Sequence, residues 1–82
     1  MFYKVKEVKP LKDYILEITF FNEKIKYYDV SNLFEKWKIF NELRENKELF
    51  NKVKVDKGGY GISWSDEIDL SCDELWENSY SK

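Results

Sequence analysis

The stretch GGYGISWSDEIDLSCDELW, residues 58–76, concentrates most of the residue types in this chain that could do chemistry. Three glycines in four positions could cradle a phosphate. Asp66, Glu67 and Asp69 could hold a hard cation, and Cys72 could act as a nucleophile. Each chemistry makes further demands. A P-loop closes on Lys-Ser/Thr, and a dinucleotide loop opens a helix. Here the glycines run into YGISW, which alternates like a strand, and the acids that follow repel phosphate. An EF-hand needs D-x-[DN]-x-[DN]-G and a glutamate at position twelve, a pattern the chain lacks. Asp66 reads instead as a turn former and Asp69 as a local hydrogen-bond acceptor. No metal and no cofactor is expected.

Cys72 stands at a predicted helix start, where a thiol pKa falls. Asp69, Asp73 and Glu74 crowd it and oppose the thiolate, so it is expected to be buried and inert. The 82 residues contain no histidine and no second cysteine. That removes Ser-His-Asp and Cys-His catalysis, imidazole ligation, multi-cysteine zinc sites and dithiol redox chemistry. An enzyme would have to work through carboxylates such as Asp66 and Asp69. A chain this short has little room for a deep pocket beside its core. The protein is expected not to be an enzyme.

What remains is recognition. Tyr27 and Tyr28 with Lys24 and Lys26 are the best cluster for stacking and neutralising a nucleic acid. The net charge of −2 and the absence of an RNP-like motif weigh against it. Trp37 and Trp76 are candidate anchors for a protein partner, since tryptophan is enriched at hot spots. At helical spacing the same two residues also suit a core. Residues 3–9 and 24–30 are candidate sheet edges that a partner strand could extend, although their lysines also discourage unwanted pairing.

These residues need a scaffold. Eighty-two residues make a single domain, 1–82, that is marginal unless its fifteen aromatics fill a core. Residues 1–57 carry thirteen bases and ten acids, whereas residues 58–82 carry one base and six acids. Both regions read as solvated surface. The first residues, MFYKVK, lack an apolar signal segment, no run approaches a membrane span, and one cysteine suits a reducing compartment. The expected location is the cytoplasm.

The periods give the elements. YKVKEVK (3–9) predicts a strand with a bulge, because Val5 and Val8 are three apart, and Pro10 ends it. YILEITFF (14–21) puts Leu16, Ile18 and Phe20 on one face and Ile15, Glu17, Thr19 and Phe21 on the other. Asn22-Glu23 then reads as a two-residue hairpin turn into KIKYYDV (24–30). From Ser31 to Asn51 apolar residues recur at three and four, predicting two or three short helical pieces with Ser31 and Asn46 as N-caps. KVKVD (52–56) and YGISW form a second hairpin about Lys57-Gly58-Gly59, with Tyr60, Ile62 and Trp64 sharing a face. Gly61 fits a place where another element crosses closely. Ser71 to Tyr80 is a helix with a Ser71–Glu74 capping box and a Leu70–Leu75 staple. Its predicted buried stripe is Cys72, Leu75, Trp76, Ser79 and Tyr80. The fold class is α+β: an antiparallel sheet of about five short strands closed by a C-terminal helix.

The order of these pieces resembles a family of short bacterial proteins, domain of unknown function family 2442. The resemblance is carried by Val5-Lys6-Glu7-Val8-Lys9-Pro10-Leu11, by Tyr14-Ile15-Leu16 with Thr19-Phe20, by Tyr28-Asp29-Val30-Ser31 and by Leu49-Phe50. It continues through Val53-Lys54-Val55-Asp56, Gly61-Ile62-Ser63-Trp64 and Ile68-Asp69-Leu70-Ser71 with Leu75. Order and spacing together are specific; no single motif is. Where the family usually turns on Asn-Gly, this chain has Asn22-Glu23. The resemblance implies a small α+β domain and no established activity. It also implies a cognate small protein encoded nearby, on the pattern of an antitoxin and its toxin. The expected function is a non-enzymatic protein-interaction module. A nucleic-acid-binding module is the alternative.

Overall fold

Leu16, Ile18 and Phe20 are fully buried, and the strand that carries them organises the fold. The computed structural model describes residues 3–81. Along the chain lie β1 (Val5–Pro10), β2 (Ile15–Phe20) and β3 (Ile25–Asp29). Short 3-10 turns at Val30–Leu33 and Lys38–Phe40 lead into α1 (Asn41–Glu45) and α2 (Lys47–Phe50). Then come β4 (Lys54–Val55), β5 (Gly61–Ser63), β6 (Asp69–Ser71) and α3 (Cys72–Asn78). The expected sheet of about five strands is instead two antiparallel sheets of three, ordered β1-β2-β3 and β4-β5-β6. The added strand is β6. Asp69 and Leu70 form rungs with Ser63 and Ile62 before the chain turns helical, so Asp69 belongs to a ladder and not merely to a helix approach.

The predicted bulge in β1 is present. Register shifts between Val5 and Glu7, leaving Lys6 as the extra residue. This allows Val5 and Val8, three apart, both to pack on the core. Between β1 and β2 the chain reverses through Asp13 and Tyr14, both at positive φ (61° and 62°). An aromatic residue in that region costs about 1–2 kcal/mol. Tyr14 is held there from outside the turn: its hydroxyl donates to the Arg44 carbonyl oxygen at 2.8 Å, and its ring meets Phe34 and Phe50 edge-on.

The β2–β3 hairpin is wider than expected. Thr19 pairs with Ile25, and the Phe20 N–H donates to the Lys24 carbonyl. Three residues, Phe21-Asn22-Glu23, therefore make the loop, with Glu23 at φ 71°. A left-handed third residue is the usual way to close such a loop.

The helical region breaks into short pieces, as its polar interruptions predict. Asn46 caps α2 by accepting from the Leu49 N–H. Ser31 is not a cap; Asp29 is, and it accepts from the Ser31 N–H. In the second sheet Ile62 and Trp64 are buried, whereas Tyr60 precedes β5 and is exposed, contrary to the shared face expected of it. The close crossing at Gly61 is real. A β-carbon there would sit on the Leu70 carbonyl oxygen and 3.2 Å from Asp56 Oδ2.

α3 starts on Ser71, whose hydroxyl accepts from the Glu74 N–H at 3.1 Å. The Glu74 side chain does not complete the capping box; it goes to Tyr28. Cys72 and Leu75 face the core, but the helix ends at Asn78, before the expected Tyr80. One hydrophobic cluster joins both sheets and the helical pieces, from Val5 and Phe20 through Leu33, Leu43 and Phe50 to Ile62, Ile68 and Leu75.

Candidate interaction face

The register decides which side chains of the first sheet share a face. Opposed residues in an antiparallel pair point the same way. Leu16 opposes Tyr28, and Ile18 opposes Lys26, on the core side. On the other side run two rungs, Lys9–Glu17–Tyr27 and Glu7–Thr19–Ile25. Phe21 continues that face beyond β2. Tyr80 joins it from the segment after α3. The Tyr27 N–H donates to the Tyr80 carbonyl, and the Tyr80 N–H to the Tyr27 carbonyl, each at 2.7 Å. The two rings lie 6.0 Å apart. Phe21 (60% exposed), Ile25 (48%) and Tyr80 (46%) thus gather with half-buried Tyr27 on one solvent-facing surface.

The residues singled out in the sequence disperse. Tyr27 and Tyr28 project from opposite faces of β3. Tyr28 is buried, and its hydroxyl donates to Glu74 Oε2 at 2.9 Å. Burial first, then this bond and the Glu74 charge, push its phenol well above the ordinary value of 10.0. The Tyr27 phenol is also raised, by desolvation and then by Glu17, which accepts from it at 3.3 Å. Lys24 stays exposed at the hairpin end. Lys26 turns toward the core side. Its ammonium lies 4.4 Å from the Trp76 ring centroid and donates to the Trp76 carbonyl at 2.6 Å. The four residues therefore do not form one stacking surface.

Trp76 is half-buried and held on several sides. Tyr3 stacks on it at 3.8 Å, nearly parallel, and Phe20 meets it edge-on at 4.9 Å. It is a packing residue. Trp37 differs: it is 41% exposed, leaning on Phe40 with the Lys36 ammonium 4.9 Å from its ring. Its helical spacing pointed to the core, but the chain around it is a turn rather than a continuous helix, so it swings outward.

The exposed apolar residues of this face that sequence missed are Ile25, Phe21 and Tyr80. Phe21 and Ile15 already stood out as apolar residues on the polar face of β2. Tyr80 had no such signal, because the end of α3 decides its direction.

The acids of residues 66–69 do not converge. Among the described residues no group of three or more His, Cys, Asp or Glu could hold a metal ion. Cys72 is buried, and burial and then the Asp73 charge raise its thiol pKa. A cavity of about 480 Å³ lies between the β1–β2 turn and α2, lined by Lys12, Tyr14, Lys47 and Phe50 among others. Among the described residues no helix is long and apolar enough to cross a membrane.

These features define a small α+β protein whose two antiparallel sheets share a core and whose first sheet turns an aromatic face to solvent. The chain belongs to the family described as protein of unknown function (DUF2442), whose model matches residues 5–81. Comparison with curated proteins and with solved structures yields no match.

Proposed function

We propose that this protein is a non-enzymatic interaction module that binds one small cognate protein through the outer face of β1–β2–β3. The observation that carries this reading is the gathering of Phe21, Ile25, Tyr27 and Tyr80 on a single solvent-facing surface. Contiguous exposed apolar area of this kind marks contact sites more often than chance surface. The charges beside it favour protein over nucleic acid. Glu7 and Glu17 share the face with Lys9, and two carboxylates there would repel phosphate. In this reading the partner is the product of a neighbouring gene, and binding masks that product's working surface as an antitoxin does. The module acts in the cytoplasm.

The test is co-expression with the neighbouring gene product, purification through one tag, and sizing. A stoichiometric complex is expected. Ile25→Glu should weaken it by about tenfold or more, as expected for a central apolar contact, while leaving thermal unfolding close to wild type. Trp37→Ala tests the other exposed aromatic. A lone monomer, or a complex indifferent to Ile25→Glu, counts against the reading.

A further inference from the structure

The geometry points to Tyr80 as a lock on the edge of β3, and to a second copy of this chain as the occupant of that edge when the lock opens. Inward, β3 gives its Lys24-side bonds to β2. The Phe20 N–H reaches the Lys24 carbonyl, so in an antiparallel ladder the bonding positions toward β2 are Lys24, Lys26 and Tyr28. The main-chain groups of Ile25, Tyr27 and Asp29 therefore point away from β2, along the sheet edge. Tyr80 fills the central one, Tyr27, with two 2.7 Å bonds, and it does so as an isolated bridge outside any strand.

An isolated rung is the weakest form of strand pairing. Exposed edges are templates for other strands, and proteins commonly cover them. The cover here follows α3 directly, so opening requires movement only beyond Asn78. Ser79 Oγ is buried and makes no hydrogen bond among the described residues, so release lets it reach water at no loss of a side-chain bond.

The edge is self-complementary. If two copies of β3 pair antiparallel about a two-fold axis at Tyr27, each Tyr27 takes from the other the same two bonds that Tyr80 now supplies. Ile25 then faces Asp29 of the second copy and Lys26 faces Tyr28, so no lysine opposes a lysine within the paired strands. On either side of the axis the Ile25 carbonyl can also accept from the Asp29 N–H of the second copy, where Tyr80 forms one rung; the Asp29 carbonyl stays with the turn that it caps. An isologous two-fold contact of this kind is the commonest way for identical chains to associate.

The experiment compares the full-length chain with Tyr80→Pro and Tyr80→Ala by sedimentation and by amide hydrogen exchange. Proline removes the N–H that bonds to Tyr27, whereas alanine removes the ring and keeps the bond. Tyr80→Pro is expected to dimerise at least about tenfold more tightly than wild type, the scale of one lost competing hydrogen bond per chain. Tyr80→Ala should stay near wild type. Adding Tyr27→Lys to Tyr80→Pro sets two lysines against each other on the axis and should restore the monomer. A Tyr80→Pro chain that stays monomeric overturns the proposal, as does a dimer that ignores Tyr27→Lys. If Tyr80→Pro does not fold, the wild-type chain decides. Protection of the Asp29 amide must rise with concentration up to about 1 mM, where an association of about −4 kcal/mol becomes visible, and constant exchange overturns the idea. None of these outcomes depends on a heterologous partner, so this lock and the proposed binding face stand or fall separately.

Discussion

The Tyr28 hydroxyl donates to the Glu74 carboxylate at 2.9 Å, joining the edge strand β3 of the first sheet to the first turn of α3 across forty-six residues of sequence. Glu74 is thus a tertiary tie, while its own N–H is the one satisfied by Ser71. Tyr28→Phe should cost about 1.5–3 kcal/mol, the value of a hydrogen bond to a charged acceptor. It should also change the alkaline limb of stability. Because the folded Tyr28 phenol is raised above its ordinary value of 10.0, the unfolded chain loses that proton first as pH rises. The contribution is therefore whole below about pH 10 and is lost progressively above it. Urea unfolding of wild type between about pH 8 and pH 11 should show this decline, and Tyr28→Phe should flatten it. An equal slope in both proteins would remove Tyr28 as its source.

Trp76 and Trp37 should part company under mutation. Trp76→Ala removes the Tyr3 stack, the Phe20 edge contact and the Lys26 cation–π contact, and should cost about 3 kcal/mol. Trp37→Ala opens no core space and should cost less than about 1 kcal/mol. Denaturant midpoints decide between this order and its reverse.

Glu23→Gly should stabilise the protein. Glu23 sits at φ 71°, where a side chain is strained and glycine is not. Its ion pair with Lys6, at 3.4 Å between well-exposed side chains, is worth little. The expected gain is about 0.5–1 kcal/mol, read as a higher midpoint with an unchanged denaturant slope.

Where neighbouring residues set the structure, the sequence was readable. The alternation of Leu16, Ile18 and Phe20, the Val5–Val8 slip, the Asn46 and Ser71 caps and the crowding at Gly61 are all local signals, and each appears in the fold. What escaped was set at a distance. β6 is a strand because β5 lies beside it, and three residues of Asp-Leu-Ser give no period to detect. Glu74 left its capping box because a buried phenol was in reach. Tyr80 left the predicted helix stripe because the Tyr27 main chain offered two bonds. The exposed aromatic face was half legible: Phe21 on the polar side of β2 was a visible anomaly, but its sharing a face with Ile25 and Tyr80 depends on hairpin width and on where α3 ends.

The closure of α3 over β3 also bears on how the chain is made. Tyr28 waits for Glu74, Lys26 for Trp76, and Tyr27 for Tyr80. A nascent chain leaving the ribosome can form the β1–β2–β3 meander early, since its contacts are near neighbours. It cannot cover the inner face of that meander until residues 72–80 have emerged. Until then Phe20 and Tyr28 lack their partners on α3, and the emerging protein is open to chaperones and to its own kind. Completion of the core is thus timed by the emergence of residues 72–80.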